Sequence, residues 1–310
     1  MESTQTAVLG AGVIGMSWTA LFAAAGHPVA VYEPRDGAED DVRRFIQTAA
    51  PALEQLGFAK PGDDRAVTLH PTPEAAVDGA TIIQENAPEK LEVKHALYGQ
   101  IAPALGSDAL LLTSTSGLTL AALQEGLPDP SRLLLAHPFN PPHLIPLVEL
   151  MANEATAPDV LPRASAFYES LGKTTITLRK GVPGHVANRL QAVLWQEAIH
   201  LAREGVASLA DIDKAIATGP GLRWGIFGPS LLFTLAGGPG GMRSFVDHLA
   251  PGAERWWTDS GNVTLDDETK NFLVEEMAKA MDGRPPDAFA AERDQVLLDF
   301  LSARKRAGLE

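Results

Sequence analysis

The chain has 310 residues, no cysteine and a formal net charge of −14, from 25 basic and 39 acidic side chains. The lack of cysteine excludes a disulfide framework, a thiolate zinc site and a cysteine nucleophile, and the acidic balance argues against nucleic acid or an anionic membrane as a general partner. No apolar run approaches the roughly 20 residues that span a bilayer, and residues 1–5 lack the basic start of a signal peptide. We therefore expect a cytoplasmic protein of about two domains, and we predict no metal site.

A G-x-G-x-x-G turn follows the first apolar run of the chain, and its residues are Gly10, Ala11, Gly12, Val13, Ile14 and Gly15. In such a turn Gly10 permits the tight bend, Gly12 lets the backbone approach a pyrophosphate, and Gly15 lets the next helix pack closely. The N-terminus of that helix carries Val13 and Ile14 and offers free N–H groups to phosphates. We therefore predict a dinucleotide site formed by these residues.

Glu33 ends the second apolar run and stands 18 residues beyond the third glycine. A carboxylate at this place accepts hydrogen bonds from both ribose hydroxyls and repels a 2′-phosphate. The alternatives are that Glu33 is only a solvated strand end and that Arg35, two residues on, binds a phosphate. The spacing favours NAD as the cofactor.

The first half of the chain alternates apolar runs with amphipathic segments such as residues 91–101 and 160–171. This alternation predicts a βα repeat and a parallel sheet. The predicted strands are residues 6–9, 29–32, 67–69, 81–84, 110–113, 133–136, 147–150 and 174–178.

The pattern becomes helical after Pro183 and Gly184. The predicted helices are residues 185–204, one that begins near Ser208, and residues 228–236, 242–249, 268–281 and 287–305. The predicted fold class is thus an N-terminal α/β domain with a Rossmann-type doubly wound sheet, residues 1–183, followed by an all-α domain, residues 184–310.

His137 ends an apolar strand and is followed by a proline-rich stretch, at the sheet edge where open α/β folds bind ligands. Glu149 lies in a second apolar strand, where an unpaired carboxylate is costly to bury. Together the two could remove a proton from an alcohol, with the glutamate fixing the tautomer of the histidine. The alternative is a structural histidine at a strand end and a glutamate at a sheet edge.

Residues 113–117, 137–141 and 187–189, together with Glu149, resemble motifs of the 3-hydroxyacyl-CoA dehydrogenase superfamily, and the likeness covers nearly the whole chain. The resemblance implies that His137 is the catalytic base and Glu149 its orienting partner. It also implies that Ser116 and Asn188 donate hydrogen bonds to the reacting oxygen, where such donors stabilise developing charge.

Glu85 and Lys94 match positions that lie near the cofactor in the same superfamily. An acidic residue in a loop and a lysine on a helix are usually solvated, which is the alternative for this pair.

Residues 137–149 and 182–190 resemble the branch of L-carnitine dehydrogenase, L-gulonate 3-dehydrogenase and lambda-crystallin, and residues 219–229 are similar to the carnitine type. This resemblance implies NAD-dependent oxidation of a small 3-hydroxy acid, with L-carnitine first, L-gulonate second and a 3-hydroxyacyl thioester third. It also implies a homodimer through the helical domain. A non-catalytic, crystallin-like NAD-binding protein is the alternative from another class.

Arg223 and Trp224 lie next to each other in that carnitine-type segment. A guanidinium could hold a substrate carboxylate, and aromatic faces recognise a quaternary ammonium. The alternatives are a surface arginine, and aromatic residues that serve the core or a dimer interface.

Overall fold

The computed structural model describes residues 3–248 and 250–309, which form two compact units. The first unit comprises the chain up to Val186 together with Asp294–Ser302, and the second comprises Ala187–Arg293 and the chain from Ala303. The two units are defined by how the chain packs, and the domain boundary after residue 183 stays a prediction from the sequence.

The first unit contains an eight-stranded sheet with the strand order β3-β2-β1-β4-β5-β6-β7-β8. The strands are β1 (Thr6–Leu9), β2 (Val29–Tyr32), β3 (Val67–Leu69), β4 (Ile82–Glu85), β5 (Leu110–Thr113), β6 (Leu133–Pro138), β7 (Leu147–Met151) and β8 (Thr174–Thr177). Each overlaps a predicted strand closely, and strands such as β1 and β5 are continuous apolar runs that are fully buried, which is typical of strands covered on both faces.

Helices cover both faces of the sheet, as expected for a doubly wound fold. They are α1 (Val13–Ala24), α2 (Ala38–Gln55), α3 (Pro73–Val77), α4 (Leu91–Ile101), α5 (Leu120–Gln124) and α6 (Val160–Ser170). One face packs around Trp18 and Tyr168, from α1 and α6, and the other packs around Tyr98 and Ile101 of α4. The predicted fold class, an α/β domain followed by a helical one, is confirmed.

The predicted parallel sheet has one antiparallel pairing. Strand β7 runs antiparallel to β6, and β8 is parallel to β7, so the last two strands oppose the other six. Only residues 139–146 connect β6 to β7, whereas a parallel crossover needs about a dozen residues or more. The short connection makes an antiparallel pair and sets His137 directly opposite Glu149.

The second unit is helical. Its helices are α7 (Ala187–Arg203), α8 (Leu209–Thr218), α9 (Pro220–Trp224), α10 (Pro229–Ala236), α11 (Gly241–His248), α12 (Ala250–Asp259), α13 (Asp267–Met281) and α14 (Pro286–Arg306), the last of which also contributes to the first unit. A small apolar cluster is formed by α7, α8 and α13. Within the described residues, each helix is too short or too polar to cross a membrane.

Several helix ends differ from the prediction. The helix predicted over 185–204 begins only at Ala187, because Gly184 (φ +74°) and His185 (φ +51°) have left-handed backbone. The helices α9 and α12 were not predicted, and the predicted end of another at Leu249 lies outside the described residues.

Candidate active site

The glycine turn between β1 and α1 has the geometry that a dinucleotide requires. Gly10 has a φ of +88°, and a Cβ there would lie 2.8 Å from the Asn86 carbonyl oxygen. A Cβ on Gly15 would lie 1.8 Å from the Gly10 carbonyl oxygen, whereas a Cβ on Gly12 would meet nothing within 4 Å. Gly10 and Gly15 thus serve the turn itself, and Gly12 borders open space.

Gly12 is the N-cap of α1, and among the described residues no side chain caps this end of the helix and no acidic residue lies in its first turn. Val13 is 62% exposed at this end. Free N–H groups and the positive end of the helix dipole suit a pyrophosphate, so the turn fits NAD.

Glu33 follows β2 and is held against the glycine turn. Its Oε2 accepts a hydrogen bond from the Ala11 N–H at 2.8 Å, and its Oε1 accepts one from the Arg35 N–H at 3.2 Å. The Arg35 guanidinium forms a 2.7 Å ion pair with Asp41. The hydrogen bond that Arg35 donates in this pair lowers the pKa of Asp41. Arg35 already has a carboxylate partner, so the alternative of a phosphate at Arg35 loses support.

His137 and Glu149 form a buried pair where β6 and β7 run side by side. The His137 Nδ1 lies 2.8 Å from the Glu149 Oε2, and Glu149 is fully buried. The other carboxylate oxygen, Oε1, accepts the Val186 N–H at 2.9 Å. Because a carboxylate accepts, Nδ1 donates, and the Nε2 of neutral His137 is left as the acceptor.

The environment of His137 favours its neutral form. Burial lowers the pKa of His137 below its ordinary value, although the hydrogen bond that His137 donates to Glu149 works in the opposite direction. A neutral imidazole whose tautomer is fixed by a carboxylate is the arrangement that a general base needs near neutral pH.

Ser116 lies in the loop after β5, and Glu89 holds that loop. The Glu89 Oε1 accepts hydrogen bonds from the Thr115 hydroxyl at 2.6 Å, the Ser116 N–H at 2.9 Å and the Gly117 N–H at 2.7 Å. Burial raises the pKa of Glu89, but these hydrogen bonds and nearby Lys94 outweigh it, and the pKa lies below its usual range. Sequence reasoning missed Glu89. Its position four residues after Glu85 does not indicate that it binds the Ser116 loop.

Glu85 and Lys94 form a fully buried ion pair with a separation of 2.6 Å. The other oxygen of Glu85 accepts from the Tyr98 hydroxyl at 2.8 Å and the Thr113 hydroxyl at 2.7 Å. Burial, followed by the charge of Glu85, raises the pKa of Tyr98 well above its usual value. The structure thus places Glu85 and Lys94 beneath the loops that follow β4 and β5, and their predicted contact with the cofactor stays a prediction.

Three other residues singled out from the sequence lie in the second unit. Asn188 is in the first turn of α7, and the neighbours Arg223 and Trp224 end α9, where Trp224 is 38% exposed. Their predicted roles in binding substrate stay predictions.

Sequence reasoning also missed His185. Its ring is 3% exposed, and its centroid lies 4.8 Å from that of His137. The preceding Pro183 and Gly184 could have signalled a turn in place of a helix start, but nothing in the sequence places this histidine beside His137.

Two family models match the chain in succession. The model described as the NAD-binding domain of 3-hydroxyacyl-CoA dehydrogenase matches residues 5–181, and the model of its C-terminal domain matches residues 184–260.

Curated relatives match at full length. An L-carnitine dehydrogenase of Streptomyces coelicolor is 43% identical over 306 residues, with 99% of this chain and 96% of the relative covered. An L-carnitine dehydrogenase of Oceanobacillus iheyensis is 37% identical, with 96% of this chain and 97% of the relative covered.

Solved structures have the same fold. A 5-formyl-3-hydroxy-2-methylpyridine 4-carboxylic acid 5-dehydrogenase, described as an NAD⁺-dependent dismutase, matches over 100% of both chains with a TM-score of 0.83 and 28% identity. A 3-hydroxybutyryl-CoA dehydrogenase from Escherichia coli K12 matches 76% of this chain and 50% of its own, with a TM-score of 0.63 and 28% identity. These matches agree with the glycine turn that fits NAD and with the buried pair of His137 and Glu149. The chain therefore belongs to the 3-hydroxyacyl-CoA dehydrogenase family and is an NAD-dependent dehydrogenase that acts on a CH–OH group.

Proposed function

We propose that the protein is an L-carnitine dehydrogenase, which oxidises the 3-hydroxyl of L-carnitine to a ketone. The observation that carries the chemistry is the buried 2.8 Å contact between His137 and Glu149. The substrate is supported by the relatives that bear this name, two of which match at 43% and 37% identity along nearly their whole length.

In this proposal His137 takes the proton of the substrate hydroxyl on Nε2. Glu149 then stabilises the imidazolium through the hydrogen bond at Nδ1, and the Val186 N–H keeps the carboxylate oriented. Ser116 and Asn188 donate hydrogen bonds to the substrate oxygen, where negative charge would build up as the proton leaves.

NAD, when bound, accepts the hydride. The protein holds it through Gly10, Gly12 and Gly15 and the N–H groups at Val13 and Ile14, while Glu33 binds the ribose hydroxyls. In our proposal Glu85 and Lys94 act on the cofactor side of the same site by supporting the loop of residues 86–89.

We infer the other contacts of the substrate from its charges. Arg223 would pair with the carboxylate, since guanidinium and carboxylate match bidentately. Trp224, whose ring is 38% exposed, would contact the quaternary ammonium through its aromatic face.

We further propose a homodimer in the cytoplasm, with no nucleic-acid or membrane partner. The second unit exposes an unusual number of large apolar side chains, which suits a protein interface. They include Leu190, Val193, Trp256, Trp257 and Val274. The cytoplasmic location is supported by the use of NAD.

The proposal is tested by measuring NADH formation with L-carnitine, L-gulonate, 3-hydroxybutyrate and 3-hydroxybutyryl-CoA. We expect the highest kcat/KM with L-carnitine. The thioester is included because the matching family models are described by acyl-CoA chemistry. Turnover of the thioester alone would overturn the proposed substrate, and NADH binding without turnover of any substrate would favour a non-catalytic role.

A further inference from the structure

The turn between β8 and α7 carries His185, a histidine outside the predicted catalytic set. His185 is buried, and its ring packs against His137 at 4.8 Å between centroids with an interplanar angle of 57°. It is thus a second imidazole in contact with the predicted base.

His185 also contacts the loop that carries Ser116. Its Nε2 lies 3.0 Å from the carbonyl oxygen of Thr115, the residue before Ser116. A carbonyl only accepts, so Nε2 carries the proton and donates. The next residue along, Val186, donates its N–H to Glu149. The dipeptide His185-Val186 therefore joins the Ser116 loop to both members of the His137–Glu149 pair.

Two unfavourable features of His185, its backbone conformation and a buried polar atom, argue against a residue that only packs in the core. Its φ of +51° is a left-handed conformation that glycine adopts freely and other residues rarely do. Its Nδ1 is buried without a hydrogen-bond partner among the described residues, whereas an apolar ring would fill the same space without that loss. Such costs persist where function requires the residue.

We propose that His185 is a positioning residue, which holds the Ser116 loop and the His137–Glu149 pair in one fixed arrangement. This inference rests on the proposed function, because it assigns Ser116 and His137 to the same reacting hydroxyl. His185 acts through these residues and takes no proton from the substrate.

The test compares two substitutions with a matched control. His185→Phe keeps a ring but loses the donor to the Thr115 carbonyl, and His185→Gln keeps a donor near the position of Nε2. Histidine, phenylalanine and glutamine all carry a Cβ, so the backbone cost at φ +51° is common to the three. The control is His27→Phe, since His27 is also a buried histidine whose ring nitrogen Nε2 lacks a hydrogen-bond partner among the described residues, and it lies just before the N-terminal end of β2.

Kinetics with L-carnitine and NAD provide the first readout. We expect His185→Phe to lower kcat by about 10²-fold, the scale of a misplacement of about 1 Å, with little change in the KM for NAD. His185→Gln should recover most of kcat, and His27→Phe should behave as wild type. Unchanged kcat in His185→Phe, or equal losses in both substitutions, would overturn the proposal.

An NMR titration of the His137 ring provides a readout that needs no substrate. The titratable groups that face His137 are His185 from the turn before α7, Glu149 from β7 and Glu89 from the loop after β4. The hydrogen bond to Glu149 raises the pKa of His137, and His185→Phe should loosen that contact, so the pKa of His137 should fall in His185→Phe, recover in His185→Gln and stay unchanged in His27→Phe. No fall in His185→Phe would contradict the proposal, whereas a wild-type enzyme that turns over no L-carnitine would contradict the proposed function and leave this readout in force.

Discussion

Two opposing effects at His137 decide when it can act as a base. Burial lowers the pKa of His137, while the hydrogen bond to Glu149 raises it, and burial is the larger effect. The His137 ring and the Val186 N–H donate hydrogen bonds to the oxygens of Glu149, and such donors offset the cost of burying a carboxylate. The pair is therefore a buried imidazole held in place by a carboxylate.

The pH dependence of oxidation follows from this balance. Below the pKa of His137 the ring is protonated and cannot accept the hydroxyl proton, so kcat/KM falls as the pH decreases through that pKa. We expect the acid limb of the profile to have an apparent pKa below the ordinary value of 6.5 for histidine. A profile of kcat/KM from pH 5 to 8 checks this, and a limb centred above 7 would be inconsistent with a buried neutral base.

Glu149→Gln should separate the two functions of the carboxylate. The amide can donate to Nδ1, which would leave the proton of the ring on Nε2, and we expect kcat to fall by between about 10² and 10⁴-fold. The pKa of His137 should also fall, because the imidazolium loses its negative neighbour. The checks are kcat and the position of the acid limb, and a limb that moves to higher pH would refute the explanation.

At the scale of elements, the glycines of the β1–α1 turn divide by what surrounds them. The space beside Gly12 is open, whereas Gly15 is packed against the backbone of Gly10. The turn thus contains one glycine that a ligand would require and another that the fold requires.

Alanine at these two positions should give opposite results. Gly12→Ala should leave the melting temperature nearly unchanged and weaken NAD binding, because the new methyl group occupies the space predicted for the pyrophosphate. Gly15→Ala should lower the melting temperature, since its Cβ would lie 1.8 Å from the Gly10 carbonyl oxygen. Thermal melts and NADH fluorescence titrations of both variants decide this, and equal NAD affinity in wild type and Gly12→Ala would contradict it.

The Glu85–Lys94 ion pair supports the loops that follow β4 and β5. Glu85→Ala removes the 2.6 Å partner of the buried Lys94 ammonium and leaves it only the Glu89 carboxylate at 3.8 Å, and we expect a loss of about 3–5 kcal/mol in the free energy of unfolding. The control is Glu92→Ala, at an exposed position of α4, the helix that carries Lys94. It should change the free energy of unfolding by less than about 0.5 kcal/mol. Urea denaturation measures both, and equal stabilities would show that the pair contributes little.

The strands could be predicted because most are continuous apolar runs bounded by turns, and β1, β2, β3 and β5 have the predicted bounds. The direction of β7 was missed because periodicity carries no direction, although the short connection from β6 does. His185 was assigned to a helix because the pattern from residue 186 onward is helical, and only its backbone conformation sets it apart.

The parts of the site that belong to sequence motifs could be predicted. The glycine turn, Glu33 and the pairing of His137 with Glu149 follow from spacing and from the cost of burying a carboxylate. Glu89 and His185 act through contacts with residues far away in the sequence, such as Thr115. Such contacts have no fixed spacing, so a single sequence cannot reveal them.

At the scale of the whole molecule, the two units differ in how they bury apolar surface. The sheet unit has two large cores, one on each face, whereas the helical unit has one small cluster and many exposed apolar side chains. The proposed homodimer accounts for this difference. Sedimentation equilibrium should give twice the chain mass of 32.9 kDa, and a monomer at micromolar concentration would oppose the proposal.

The central claim is that His137 is the general base when NAD oxidises L-carnitine. The most direct measurement is the initial rate of NADH formation from L-carnitine by wild type and by His137→Ala, with NADH binding measured for both. We predict turnover by the wild-type enzyme, a loss of at least about 10²-fold in the variant, and similar NADH affinity in the two. Comparable rates in both proteins would contradict the claim.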